Sequence, residues 1–125
     1  MLSLVSPADP DPASAPSCLD CERLSPPIPL ERAKRTLQGV VGVYTVLDHL
    51  PDAEVDVVLD VGFADDDLTK RLSDPALIHR WAGSAQGTLA VAYCAIPGMA
   101  LEPWVERRRV ERSLRRAFRI PAEEG

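Results

Sequence analysis

The sequence predicts a small α+β domain: a three-stranded, largely antiparallel sheet flanked by helices, behind a flexible proline-rich N-terminal arm. Three observations predict it. Residues 40–48, 55–61 and 87–96 are dense in β-branched and aromatic side chains, which suit a pleated, half-buried surface. Residues 102–119 carry apolar side chains at helical spacing. Seven of the twelve prolines fall before residue 30. The chain therefore divides into an arm (1–29), a folded domain (30–121) and a short C-terminal tail (122–125). With 125 residues, 46% hydrophobic and 26% charged, there is material for one core and none for a multidomain machine, a repeat array or a coiled coil.

Residues 1–29 are rich in Pro, Ser, Ala and Asp with no apolar period, and read as a flexible arm or an extended segment laid on the domain. Residues 30–38 (LERAKRTLQ) form a short helix with Gly39 as its stop. VVGVYTVLD and VDVVLDV, separated by the turn-like LPDAE, form a hairpin. After Gly62, the acids Asp65, Asp66 and Asp67 precede LTKRL. Free N–H groups and the dipole at a helix start favour such carboxylates, and Leu68 and Leu72 give that helix a buried edge. GTLAVAYCAI is the third strand, closed by a Pro97-Gly98 turn. In the last helix Val110, Leu114, Ala117 and Phe118 share one face, whereas Arg108, Arg109, Arg112 and Arg116 point elsewhere. Pro121 stops it. The order is α-β-β-α-β-α.

Fourteen basic residues against nineteen acidic ones give a net charge of −5, which argues against a nonspecific nucleic-acid coat or a membrane-surface binder. The distribution is uneven. Residues 52–67 hold seven acids and no base, and residues 104–119 hold seven arginines and two glutamates. Such blocks read as solvated faces or as a local anion-binding surface. MLSLVSPADP lacks the basic and long apolar regions of a secretory signal. The uncharged run 81–101 contains Gly83, Gly87, Pro97 and Gly98, so it fits short segments and turns better than a membrane span. Three cysteines, an odd count without secretory context, lead to the expectation of a cytoplasmic, reduced protein. Cys18 and Cys21 form a lone Cys-x-x-Cys. Structural zinc generally needs four ligands, and Cys94, His49 and His79 offer no second pair, so zinc is not expected. Cys94, inside a strand, reads as a small buried hydrophobe.

One succession of motifs goes further. A strand carries Gly42-Val43-Tyr44, and the next strand ends in Asp60-Val61-Gly62. A helix with Lys70-Arg71-Leu72 follows, and a later helix reads Glu111-x-x-Leu114-x-x-x-Phe118-x-x-Pro121. Over about residues 40–121 this resembles the GIY-YIG nuclease superfamily. The resemblance implies endonucleolytic hydrolysis of nucleic-acid phosphodiesters, DNA being one possible partner, with a single Mg²⁺ or Mn²⁺. It implies that Tyr44 activates or positions the attacking water, that Arg71 contacts the scissile phosphate and that Glu111 holds the metal. Gly42 and Gly62 become the motif glycines, which matter for backbone conformation.

The chemistry is consistent with these roles. A planar guanidinium neutralises phosphoryl oxygens bidentately, Mg²⁺ commonly takes one or two carboxylates plus waters, and a tyrosine beside a positive charge can direct a proton. Arg108, Arg112 and Arg115 are candidate nucleic-acid contacts. The chain departs from the family pattern in four ways. Asp60 replaces the tyrosine that opens the second motif. Gly62 and Arg71 lie nine positions apart, one more than expected. The loop between the motifs is long, and no asparagine follows Pro121. Asp60 can act as a base or second metal ligand, or it can repel phosphate and silence the site. In the latter case the domain is a binding module for nucleic acid or protein.

Overall fold

The structure, a computed structural model, describes residues 3–121; the expected tail at 122–125 lies outside them. Its elements are β1 (Ser3–Val5), α1 (Leu19–Glu22), β2 (Ile28–Pro29), α2 (Leu30–Thr36), β3 (Gly42–Leu50), β4 (Val55–Ala64), α3 (Leu68–Leu72), α4 (Pro75–Ser84), β5 (Thr88–Ala95) and α5 (Leu101–Phe118). The α+β class holds, but the sheet differs from the three strands expected. Among the described residues it has five, in the order β1-β4-β3-β5-β2. β1 runs parallel to β4, and the other neighbours are antiparallel.

The two added strands come from the arm. β1 has three residues and β2 two, too few to display an alternation, and prolines confine such segments to sheet edges. Of the two readings of the arm, the described residues fit a segment laid on the domain. Ser25 N–H donates to the Tyr93 carbonyl at 2.7 Å, and its hydroxyl accepts the Tyr93 N–H at 3.0 Å. Ser6 Oγ donates to the Phe118 carbonyl at 2.6 Å.

A further helix, α4, stands where none was expected. Asp74 accepts the Ala76 N–H at 2.9 Å, and Pro75 occupies the first turn, the arrangement that starts helices well. Leu77 and Trp81, four apart, bury its inner edge. At α3, Asp67 is the cap, accepting the Thr69 N–H at 2.8 Å.

The sheet lies between two helical layers. On one face Tyr44, Val46, Ala64 and Val91 pack with Leu30 and Ala33 of α2, Leu68 and Leu72 of α3, and Trp81 of α4. On the other, Val43, Leu47, Val58, Val61 and Ala92 pack with Val110, Leu114 and Phe118 of α5. Val58 and Val61 face the same layer although three positions separate them. A bulge makes this possible: Val46 pairs with Asp60 and Leu47 with Val58, which leaves Leu59 extra and reverses the alternation. Asp60, Gly62 and Ala64 consequently face the Tyr44 layer. Cys18 and Cys21 are joined in a disulfide, unlike the reduced pair expected, whereas Cys94 is a free, buried thiol. Among the described residues no helix is long and apolar enough to cross a membrane.

Candidate functional site

The β3–β4 hairpin aligns the two short motifs, with Tyr44 directly opposite Gly62. Tyr44 is fully buried. Its hydroxyl accepts a hydrogen bond from Arg71 Nε at 3.3 Å. A Cβ on Gly62 would lie 2.4 Å from that hydroxyl oxygen, so the phenol crosses β4 only because residue 62 has no side chain. Gly42 serves a second close approach, since a Cβ there would meet the Cys94 carbonyl at 2.1 Å.

Asp60 emerges on the same face as Tyr44, as a shared site requires. Its surroundings are those of an anchored carboxylate. Oδ2 accepts from Arg80 Nη2 and from Trp81 Nε1, both at 2.9 Å. Oδ1 accepts the Val61 N–H at 2.9 Å and lies 3.5 Å from Arg115 Nη2. The Trp81 indole in turn packs edge-on to the Tyr44 ring, centroids 6.2 Å apart.

Glu111 belongs to α5 and hence to the opposite layer. It reaches the cluster through Arg115, whose Nε lies 3.5 Å from Glu111 Oε2. Arg115 also donates to the carbonyls of Val61 and Pro121. The sequence-derived residues thus fall into two groups, Tyr44–Arg71–Asp60 on one face and Glu111 on the other. Arg115 bridges them at the part of β4 that β1 leaves uncovered.

Both Asp60 oxygens are committed to N–H groups, and a buried guanidinium stands beside both Asp60 and Glu111, where it opposes a second cation. Among the described residues no three His, Cys, Asp or Glu side chains gather as a metal site.

The arginines of α5 divide by environment. Arg115 is buried and so does not line a surface. Arg108 is stacked between the Phe63 and Trp104 rings, 3.9 and 4.0 Å from their centroids, and its Nη2 donates to Asp65 at 3.2 Å. Arg107 is fully interior, donating to Asp65 at 2.8 Å and to the Ile96 carbonyl at 2.7 Å. Arg109, Arg112 and Arg116 are exposed and recur at spacings that align them along one face of α5, whereas the exposed Arg119 follows the helix as its left-handed C-cap. Arg109, Arg112 and Arg116 line a shallow groove of about 340 Å³. Arg109 is held by Glu106 at 2.6 Å and by both Asp20 oxygens at 3.2 Å. Among the described residues no carboxylate pairs with Arg112, Arg116 or Arg119.

No family model, curated protein or solved structure matches the chain.

Sequence reasoning missed Arg80 and Trp81. The unread helix start at Asp74-Pro75 hid them, although Leu77 and Trp81 at helical spacing were a usable signal. It also missed Asp65, which joins α5 to the β4–α3 loop.

Proposed function

We propose that the chain is a nucleic-acid-binding domain of GIY-YIG-like plan in which the hydrolytic positions serve as structure. The observation that carries this reading is Asp60. Its carboxylate accepts hydrogen bonds from Arg80, Trp81 and the Val61 amide and lies 3.5 Å from the Arg115 guanidinium, so a metal ion or an activated water would have to compete with these partners. Binding is supported by the exposed Arg112 and Arg116 of α5 and the exposed Arg119 at its C-cap, whose charges are uncompensated among the described residues. Guanidinium groups in that state pair readily with phosphate oxygens.

Fluorescence anisotropy with a short labelled duplex tests it. Three phosphate contacts predict an affinity loss of roughly 40-fold between ~50 and ~200 mM salt. With Mg²⁺ or Mn²⁺ present, supercoiled, linear and branched DNA should stay intact. Absence of binding at low salt overturns the reading in favour of a protein-interaction module. Cleavage that Glu111→Ala abolishes overturns it in favour of a hydrolase.

A further inference from the structure

We propose that Cys18 and Cys21 form a reversible redox site, a disulfide that exchanges with low-molecular-weight thiols while the fold stays intact. The inference is independent of nucleic-acid binding.

Four observations carry it. The bridge encloses just Leu19 and Asp20, so it restricts the unfolded chain less than a bridge between distant elements would. It joins two residues of a single turn and ties no element of the sheet to another. Both cysteines are half-buried at the surface. They line a groove of about 290 Å³ whose walls include Leu4, Ala15, Pro16 and Phe118, so an incoming thiol can reach the sulfurs without unfolding of the core.

The hydrogen bonding assigns an order to the exchange. Cys18 Sγ accepts the Cys21 N–H at 3.1 Å, a bond that stabilises negative charge on that sulfur. Cys18 is therefore the better leaving group. A small thiolate attacks Cys21 Sγ, the Sγ–Sγ bond breaks, and Cys18 departs as thiolate. A second thiolate then attacks the sulfur of the bound small thiol and releases Cys21 as thiolate. The protein disulfide gains two electrons and two protons, and two small thiols become one small disulfide. Cys94 takes no part, because burial raises its thiol above the ordinary value and keeps it protonated.

The test uses the full chain in glutathione buffers of graded composition, quenched with acid, alkylated under denaturing conditions and weighed intact. The oxidised protein should carry one label and the reduced protein three, matching the three cysteines. The change should span about a hundredfold range of [GSH]²/[GSSG], as a two-electron couple requires. Circular dichroism should be the same at both ends. Cys18→Ser should accumulate a stable glutathione adduct on Cys21, because the resolving thiol is gone. The proposal is overturned if the bridge resists the most reducing buffer until denaturant is added. A pair that stays reduced in the most oxidising buffer, or that takes up zinc once reduced, overturns it equally.

Discussion

Arg112 and Arg115 stand one turn apart on α5 and occupy opposite environments. Arg115 is buried and serves two backbone carbonyls and two carboxylates. Arg112 is exposed, and its Nε donates to the Arg108 carbonyl at 3.5 Å. What separates them is direction: residue 115 shares the side of α5 that meets β4, and residue 112 lies on the solvent side. The same side chain is thus structural framework at one position and, at the other, an exposed cation with no carboxylate partner among the described residues. Arginine content alone cannot tell these roles apart.

The comparison can be broken most forcefully at the buried end. Arg115→Ala should cost about 3–5 kcal/mol, because it leaves Asp60 and Glu111 short of a buried counter-charge; chemical denaturation measures it. A loss below about 1 kcal/mol would mean that Arg115 is as dispensable as a surface residue. Gly62→Ala should be the next largest, roughly 1–3 kcal/mol, since the new methyl overlaps the Tyr44 phenol and the surroundings must shift.

Asp20 sharpens the comparison from the arm. Burial raises its carboxyl, but hydrogen bonds from Ser113, Arg109 and Arg23, with the Arg109 charge, outweigh that and hold it below the ordinary value. A carboxyl depressed in the folded state contributes stability above its unfolded pKa and loses it as pH falls through the folded one. Melting temperature should therefore drop below about pH 4 in the wild type. Asp20→Asn should be less stable at neutral pH and show less of that acid-side fall. At the exposed end, Arg112→Glu with Arg116→Glu should leave stability within about 0.5 kcal/mol. The slope of log affinity against log salt should lose about two contacts' worth. An unchanged DNA affinity would remove α5 from the binding surface.

Much of this frame is legible in the sequence. Gly42-Val43-Tyr44 and Val61-Gly62 fall on paired strands, and Val110, Leu114 and Phe118 are the buried stripe of α5. The bulge at Leu59 is not legible, because Asp56 and Asp60, four positions apart, read as one polar face of an unbroken alternation, whereas the bulge sends them to opposite faces. That one residue decides which layer Asp60 faces. Nor do its partners show, since Arg80 and Arg115 lie 20 and 55 positions away and meet it only once both helical layers are in place. Arg108 illustrates the same limit. It reads as a free cation until Phe63 and Trp104 enclose it.

Beyond Val57 the outer side of β4 has no strand neighbour among the described residues, and at Val61 both main-chain groups point that way. The amide is taken by Asp60 and the carbonyl by Arg115. Side chains thereby occupy two main-chain groups on which a stray β-segment could otherwise pair with this edge of the sheet. Asp60 therefore also caps an open stretch of strand edge, and Asp60→Ala is expected to raise the tendency of the molecule to associate with itself, read by light scattering.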